Sequence, residues 1–207
     1  MKKGIIFAGG DFSVPQNLND VLKEQPVIVC ADSGYDNAVR LGIVPDVIIG
    51  DMDSVKLDLP QTVNRIKLNC EKDDTDTQVC IDYLIEQGCD EIILLCALGG
   101  RQDHLLANIM LTVYTAKRGV KLIIKSSVAD IFAITGRVEI SGEKGDWLSL
   151  IPVLSDAEGV TLSGLKYPLK DAILEAGKTM GISNEFVSEK ATVTVKKGLI
   201  IAVKTKR

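Results

Sequence analysis

Val47-Ile48-Ile49-Gly50-Asp51-Met52-Asp53-Ser54 is a short apolar run that ends in two carboxylates one residue apart. Such a run is typical of a buried strand, so both carboxylates are expected just past the strand's end. Two like charges about 4 Å apart repel each other by on the order of 4 kcal/mol at an effective dielectric near 20. A cation, above all a metal ion, is therefore expected against Asp51 and Asp53.

On both sides of this stretch, the first 125 residues alternate apolar β-branched runs with helical patterns. Strands are predicted at residues 5–8, 27–31, 47–49, 92–96 and 122–124. Helices are predicted at residues 35–41, at residues 75–87, and from Leu105 to a stop at Gly119. Apolar runs without alternation suit strands that are covered on both faces. The predicted fold class of this region is α/β, a mainly parallel sheet with helices on both faces.

The loops that follow four of these strands are rich in glycine and charged residues. They are Gly9-Gly10-Asp11, Asp32-Ser33-Gly34, Gly50-Asp51-Met52-Asp53 and Gly99-Gly100-Arg101-Gln102-Asp103. In an open α/β sheet the ligand crevice lies outside the carboxyl ends of the strands, so these loops are expected to converge there. Glycines, carboxylates and an arginine together indicate a phosphate and metal site.

Beyond about residue 126 the pattern changes to short strands separated by turns. Strands are predicted at residues 130–134 and 137–140 around a turn at Gly136, at 147–151 before a stop at Pro152, and at 160–162. Residues 191–195 and 199–203 are predicted to pair through a turn at 196–198, and only residues 169–176 have a helical pattern. This favours a small β-sandwich or barrel, and hence domains at 1–125 and 126–207.

Composition excludes several functional classes. The 207 residues carry a net charge of −4, and no Lys/Arg-rich run precedes the short tail at 204–207, so nucleic acid is not an expected partner. No apolar run reaches the roughly eighteen residues of a membrane span, and the amino terminus does not have the pattern of a signal peptide. The five cysteines lie in apolar segments without CxxC spacing, which is typical of buried free thiols in a reducing cytoplasm.

A second acidic cluster, Lys72-Asp73-Asp74-Thr75-Asp76, precedes the helix predicted from residue 75. Helix capping explains one or two of these acids, because Asp and Thr satisfy free N–H groups at a helix start. Three acids in four positions, added to Asp51 and Asp53, exceed what a cap requires. All-oxygen ligands favour Mg²⁺.

The segment Gly99-Gly100-Arg101-Gln102-Asp103-His104 opens the strongest predicted helix. Main-chain amides at a helix start bind phosphate, and an arginine there can contact two phosphate oxygens. A tight turn capped by Asp103 is the structural alternative, and both can hold together. His104 is the only histidine and is expected in the first helical turn near the site.

Taken together, six motifs resemble the thiamine pyrophosphokinase family. They are 31–34 (ADSG), 50–54 (GDMDS), 73–76 (DDTD), 99–104 (GGRQDH), 164–169 (GLKYPL) and 183–184 (SN), in family order. The resemblance implies an N-terminal α/β domain that binds ATP and a C-terminal β domain that helps to hold thiamine. It also implies a homodimer with active sites at the subunit interface. The expected location, from the cysteine pattern, is the cytoplasm.

The resemblance further implies a reaction, a cofactor and residue roles. The family transfers the β,γ-diphosphate of ATP to the thiamine hydroxyl and releases AMP, with Mg²⁺ as cofactor. The implied metal ligands are Asp51, Asp53 and Asp76. Implied supporting, ATP-binding or thiamine-binding residues are Asp32, Asp73, Asp74, Thr75, Gly100, Arg101, Asp103, Tyr167, Ser183 and Asn184.

Several alternatives stay open on the sequence alone. An Asp-x-Asp motif also serves Mg²⁺-dependent phosphohydrolases, although those with an aspartate nucleophile usually place it after the first strand. A non-catalytic nucleotide or thiamine-diphosphate sensor would use the same crevice. Lys72 is expected to point towards ATP or solvent. The metal ligand set is open among seven aspartates: Asp32, Asp46, Asp51, Asp53, Asp73, Asp74 and Asp76.

Overall fold

The computed structural model of the chain describes residues 1–69 and 73–207. The chain forms two compact units. The first comprises Met1–Leu111 and Lys117–Ser127, and the second comprises Thr112–Ala116 and Val128–Arg207. The functional roles expected of residues 1–125 and 126–207 remain predictions.

The elements up to residue 125 are strands and helices, as the apolar pattern predicts, and they alternate except where the fourth strand follows the third. In chain order they are β1 (Lys3–Phe7), α1 (Leu18–Leu22), β2 (Val27–Ala31), α2 (Gly34–Arg40), β3 (Val47–Gly50), β4 (Asn64–Lys67), α3 (Asp76–Glu86), β5 (Glu91–Leu95), α4 (Gln102–Ala116) and β6 (Lys121–Lys125). The predicted strands and helices of this region are all present, with ends that differ by a few residues.

The strands of the first unit pair in parallel in the order β6-β5-β1-β2-β3-β4. On one face of this sheet, Phe7 of β1 joins a buried cluster with Leu18 of α1 and Tyr35 of α2. Gly4 lies on the opposite face of β1, because strand residues alternate in direction, and it packs against Leu84 of α3. The sheet is therefore covered on both faces, which explains its uninterrupted apolar strands.

Two elements of the first unit lie outside the predicted ones. All four residues of β4 are exposed, since this strand is at the edge of the sheet. An exposed polar edge strand has no apolar pattern to reveal it, and its charged residues discourage pairing with other chains. The helix α1 has only five residues, which is too short for a periodic pattern.

The second unit contains only strands besides the last turn of α4. They are β7 (Ala129–Ser141), β8 (Trp147–Ser163), β9 (Leu169–Leu174), β10 (Asn184–Glu185) and β11 (Lys190–Thr205). They pair antiparallel in the order β10-β8-β11-β7, and β9 also pairs with β8. A sandwich-like packing of these strands remains a prediction.

The predicted turns at Gly136 and at residues 196–198 are wrong. Gly136 lies inside β7, and residues 196–198 lie inside β11, where the register with β7 shifts between Val195 and Ile200. Gly136 and Gly198 have φ values of +75° and +96°, which a bulge requires as much as a turn does. The glycines therefore mark bends in long strands, and the hairpin predicted from 191 to 203 does not form.

The predicted strand end at Pro152 is also wrong, because β8 continues through it to Ser163. The N–H of Leu150 points away from β11 and donates to the carbonyl of Gly181 at 2.8 Å. Pro152 lies two residues further on, so its nitrogen faces the same side, beyond the end of β10. The missing N–H therefore costs no hydrogen bond to β11.

The helix predicted at residues 169–176 is wrong as well. Residues Leu169–Leu174 form β9, which pairs with β8 at Leu162, Val160 and Ala157. Pairing with a neighbouring strand outweighs a weak local helical pattern. Over the whole chain the strand pairing is therefore mixed. The strands up to β6 pair with one another in parallel, and those from β7 onwards pair with one another antiparallel.

The cysteines of the described residues are free and buried, as predicted: Cys30, Cys80, Cys89 and Cys96. Burial raises the pKa of the Cys30, Cys89 and Cys96 thiols, which keeps them protonated and unreactive. Cys70 lies outside the described residues. No helix in the described ranges is long and apolar enough to cross a membrane.

Candidate functional site

The carboxyl ends of β1, β2, β3 and β5 meet at one edge of the first unit's sheet, and their loops pack closely. A Cβ atom on Gly34 would collide with the carbonyl oxygen of Phe7, so only glycine allows α2 to begin this close to β1. A Cβ atom on Gly10 would lie 2.6 Å from the carbonyl oxygen of Cys96. The loops after β1, β2 and β5 therefore converge, as the sequence predicts.

Two buried asparagines hold these loops in place. Asn37 of α2 donates to the carbonyl of Ala8 at 2.9 Å and to that of Gly10 at 3.3 Å. Asn108 of α4 donates to the carbonyl of Ala97 at 3.0 Å. Neither residue was among the predicted site residues. Their signal in the sequence is a polar residue on the buried side of a helix, which capping or surface exposure does not explain.

A pocket of about 310 Å³ lies between these loops. Its walls come from the ends of β1, β2 and β5, the start of α3 and the first turns of α4. Five predicted site residues line it: Asp32, Thr75, Asp76, Gly100 and Arg101. His104, expected near the site, and Asn108 also line it. The volume and the convergent glycines suit a phosphate-bearing ligand.

Three carboxylates form a close group beside this pocket. Asp32, Asp51 and Asp53 each offer an oxygen within 4.8 Å of those of the other two. Asp32 is only 8% exposed, and its Oδ1 has no hydrogen-bond partner among the described residues. Buried carboxylate oxygens are normally paired, so an unpaired one on a carboxylate close to two others indicates a cation site.

The backbone directs these carboxylates towards one another. Asp32 and Met52 have φ values of +46° and +68°, in the left-handed region that few residues other than glycine adopt. The main-chain N–H of Asp32 donates to the carbonyl of Ile49 at 2.9 Å, which joins the ends of β2 and β3. The N–H of Asp53 donates to Oδ1 of Asp51 at 3.2 Å. The Asp-x-Asp segment is thus a tight turn at the strand end.

Asp46 lies elsewhere. It precedes β3, and its Oδ2 accepts the main-chain N–H of Ile28 at 2.7 Å. The length of β3, about 13 Å for four residues, separates it from the strand end that carries Asp51. Asp46 is therefore not one of the clustered carboxylates.

The second acidic cluster caps α3. The hydroxyl of Thr75 accepts the N–H of Gln78 at 3.3 Å, and Asp74 accepts the side-chain amide of Gln78. Capping, the structural alternative, therefore applies to Thr75. Asp73 and Asp74 are exposed, whereas Asp76, in the first turn of α3, faces the pocket. The close group of carboxylates contains Asp32 rather than Asp76.

Arg101 and Asp103 bind each other at the start of α4. Arg101 donates from Nε to Oδ1 of Asp103 at 3.2 Å and from a terminal nitrogen to Oδ2 at 2.6 Å. This hydrogen-bonded pair, with help from the N–H of His104, holds the pKa of Asp103 below its usual range and raises the pKa of Arg101. Both side chains are exposed, so a ligand can separate them at little cost.

The predicted residues of the second unit form a separate group. Tyr167 is 61% exposed, and its main chain is held on both sides by the buried Asn184, whose Oδ1 accepts the N–H at 3.0 Å and whose Nδ2 donates to the carbonyl at 2.7 Å. Ser183 has a φ of +58°, and its N–H donates to the hydroxyl of Ser149 at 3.0 Å. Asn184 thus fixes Tyr167, while Tyr167 and Ser183 are exposed. Lys72 lies outside the described residues.

Comparisons with known proteins cover both units. A family model described as thiamin pyrophosphokinase, catalytic domain, matches residues 18–124. A second, described as thiamin pyrophosphokinase, vitamin B1 binding domain, matches residues 137–200.

Similar proteins carry the same name. The chain is 30% identical over 213 residues to thiamine pyrophosphokinase of Bacillus subtilis (strain 168), with 99% of each chain covered. It is 28% identical to thiamine pyrophosphokinase 1 of Oryza sativa subsp. japonica, covering 83% of this chain and 76% of that one. The crystal structure of the thiamine pyrophosphokinase from Bacillus subtilis superposes with a TM-score of 0.89 at 28% identity, covering 99% of both chains. From the two family models and the full-length match at 30% identity, we conclude that the chain belongs to the thiamine pyrophosphokinase family.

Proposed function

We propose that this protein transfers the β,γ-diphosphate of ATP to the hydroxyl of thiamine, giving thiamine diphosphate and AMP. The observation that carries the proposal is the glycine-lined pocket of the first unit, with Arg101 in its wall and three carboxylates beside it. Family membership indicates this reaction. The pocket supplies hydrogen-bond donors for a diphosphate, and the carboxylates supply oxygen ligands for its counterion.

The acidic group fits Mg²⁺. Its donors are all carboxylate oxygens, the ligands this ion prefers, and Asp32 Oδ1 is buried without a partner in the described part of the chain. Asp51 and Asp53 would hold the metal, with Asp32 as a third carboxylate and Asp76 on the pocket side. When bound there, the ion would neutralise charge on the phosphates of ATP.

The polyphosphate is proposed to lie against Gly100 and Arg101. Gly99 and Gly100 have φ values of +80° and +66°, a turn that leaves room for a ligand at the start of α4. Arg101 would exchange its bond to Asp103 for two phosphate oxygens, because both partners are exposed and the exchange keeps charge-assisted bonds. Thr75 and His104 line the same pocket and would contact the nucleotide.

Asp103 would then be free to bind thiamine. Its carboxylate carries the charge that suits a thiazolium or an aminopyrimidine, and an aspartate is ionised at neutral pH even without an arginine beside it. Transfer requires the thiamine hydroxyl in line with the β-phosphorus, so positioning and charge stabilisation account for most of the catalysis. Asp73 and Asp74, both exposed, are proposed to support the metal site through solvent.

Tyr167 and Ser183 are proposed to contact thiamine. An exposed aromatic ring attracts a cationic ligand, and a ring whose main chain is fixed loses less freedom on binding. Asn184 holds the main chain of Tyr167 in this position. The proposal includes a homodimer with active sites at the subunit interface, as the family resemblance implies. It also includes a cytoplasmic location, which the free, buried cysteines of the described residues support.

Product analysis tests the proposed reaction. Purified protein is incubated with thiamine, Mg²⁺ and ATP labelled at the γ-phosphorus, and the products are separated by chromatography. Labelled thiamine diphosphate and an equal amount of AMP are expected. ADP with thiamine monophosphate would show transfer of a single phosphoryl group, and free phosphate alone would indicate a phosphohydrolase; either result overturns the proposal. Binding of both substrates without turnover would indicate a sensor.

A further inference from the structure

The carboxylate of Asp36 binds the loop that follows the acidic motif. Its Oδ2 accepts the main-chain N–H of Lys56 at 3.1 Å, and its Oδ1 accepts that of Leu57 at 3.3 Å. Both oxygens are therefore engaged with consecutive residues of the segment between β3 and β4. Hydrogen bonds from N–H groups to an ionised carboxylate are among the stronger ones in proteins.

The helix that carries Asp36 is a fixed support. Gly34 lies against the carbonyl of Phe7 of β1, and Tyr35 and Ala38 are buried in the core cluster. Asp36 belongs to the first turn of this helix, and its own N–H donates to the carbonyl of Ser33 at 3.1 Å. A group bound to Asp36 is thereby tied to the sheet.

The segment from Asp32 to Asp36 also holds the other end of the acidic loop, the end next to β3. The N–H of Asp32 donates to the carbonyl of Ile49, and Gly50 packs against the Cβ of Asp32. The residues from Gly50 to Lys56 are thus anchored at one end by Asp32 and at the other by Asp36. Asp51 and Asp53 lie between these anchors.

We propose that Asp36 is a positioning residue that fixes the Asp51 and Asp53 carboxylates for a divalent cation. The inference rests on the metal site of the proposed function. Mg²⁺ accepts ligands only within a narrow range near about 2.1 Å, so a loop free at its Lys56 end presents these carboxylates poorly. The competing explanation is that the loop is held by apolar packing alone, since Met52 and Val55 pack against the core cluster.

Direct metal binding to the full-length protein separates these explanations. Mn²⁺, which uses the same oxygen ligands, is titrated into substrate-free protein and the free ion is measured by electron paramagnetic resonance. Asp36→Asn keeps the size of the side chain but replaces one acceptor oxygen with a donor. Loss of a group that orients metal ligands typically weakens binding about 10- to 100-fold, so a Kd for Mn²⁺ at least about tenfold higher is expected.

Asp46→Asn is the matched control. Asp46 also accepts a main-chain N–H, from Ile28, but at the opposite end of β3. Loss of either carboxylate is expected to lower the melting temperature, but Asp46→Asn is expected to leave the Kd for Mn²⁺ unchanged. A structural role alone would lower the melting temperature of both variants and alter the Kd of neither.

The possible outcomes distinguish this inference from the metal site itself. Wild-type affinity in Asp36→Asn, or an equal loss of affinity in Asp46→Asn, overturns the role of Asp36 and leaves the metal site intact. If wild-type protein binds no Mn²⁺, or if Asp53→Asn binds it equally well, the metal site fails and the inference fails with it. Both of these results come from the Mn²⁺ titrations of the wild type and of Asp53→Asn, so they do not depend on Asp36.

Discussion

Replacing Asp32 with asparagine tests whether the acidic group is built for a cation. Asparagine has the same shape as aspartate and also tolerates the left-handed backbone, so the φ of +46° at this position is not a new source of strain. The substitution removes one of three clustered negative charges and supplies an amide donor beside the other two. Without metal, Asp32→Asn is therefore expected to be more stable than the wild type.

The spacing of the carboxylates sets the size of this effect. Their oxygens lie within 4.8 Å of one another. At about that separation two unit charges repel by roughly 3.5 kcal/mol at an effective dielectric of 20, and by roughly 0.9 kcal/mol in bulk water. Asp53 is exposed and Asp51 half-buried, so screening keeps the repulsion well below the upper figure. We expect Asp32→Asn to gain about 1 to 3 kcal/mol, a rise in Tm of about 2 to 12 °C for a chain of this size.

Thermal unfolding without Mg²⁺ measures the relief of repulsion, and thermal unfolding with Mg²⁺ measures the stabilisation by the bound ion. A ligand at ten times its Kd stabilises the folded state by about 1.4 kcal/mol. Mg²⁺ is expected to raise the Tm of the wild type more than that of Asp32→Asn, so the advantage of the variant shrinks as the metal is added. Asp58→Asn, which removes one exposed charge from the same loop, is the control and should respond to Mg²⁺ as the wild type does.

Two results would refute this reasoning. If Asp32→Asn unfolds at a lower temperature than the wild type without metal, the three carboxylates are not repelling one another. If Mg²⁺ raises the Tm of both proteins equally, Asp32 does not contribute to binding of the ion.

Three further predictions concern other groups. Asp53→Asn should remove most of the diphosphate transfer without lowering the melting temperature, because it also removes a charge from the acidic group; near-normal turnover at low Mg²⁺ would exclude a ligand role. Tyr167→Ala should raise the KM for thiamine roughly 5- to 30-fold, the equivalent of about 1–2 kcal/mol of cation–π attraction, and a change in the ATP KM alone would contradict the thiamine placement. Glu91 is buried, which opposes ionisation, but Lys121 and Lys3 outweigh this and hold its pKa below the usual value. These ion pairs stabilise the fold at neutral pH, and that stability is lost as the pH falls through the lowered pKa. In urea unfolding, Glu91→Gln should therefore be less stable than the wild type at pH 7, with the difference shrinking as the pH falls through the lowered pKa of Glu91; a constant difference would refute the assignment.

The first unit was largely predictable because burial on both faces leaves a strong trace in the sequence. A parallel strand covered by helices has no polar positions to interrupt it, so β1, β2, β3, β5 and β6 are read directly from their apolar runs. The edge strand β4 could not be found this way, because nothing covers its side chains.

The second unit was less predictable because turns and bends use the same residues. Gly136, Gly159 and Gly198 all have positive φ values inside long strands. A Cβ on Gly198 would lie 2.6 Å from the carbonyl of Asp156 on β8, so close approach of strands, not chain reversal, selects glycine there. Only the pairing partners distinguish a bend from a turn, and those partners are distant in sequence.

The location of the candidate site could be predicted from the strand order. Which of its side chains bind one another could not. Any polar loop after a parallel strand is delivered to the same edge, so Asp32, Asp53 and Arg101 were predictable as neighbours of one crevice. That Arg101 binds Asp103 in the ligand-free protein, or that Asp36 accepts two N–H groups of the acidic loop, depends on side-chain directions that spacing does not determine.

The left-handed residues explain how such a site can be in place before any ligand arrives. Asp32, Met52 and Cys96 follow β2, β3 and β5 within two residues of the strand ends, and all have φ between +46° and +68° without being glycine. Each such residue costs about 1 kcal/mol or more, a cost that persists only where the surroundings enforce it. Here the surroundings are strands whose central residues are almost fully buried, joined across the loops by Asn37 and Asn108. The chain therefore reverses sharply at each strand end and presents its carboxylates and main-chain groups to one pocket, so substrate binding need not order these loops.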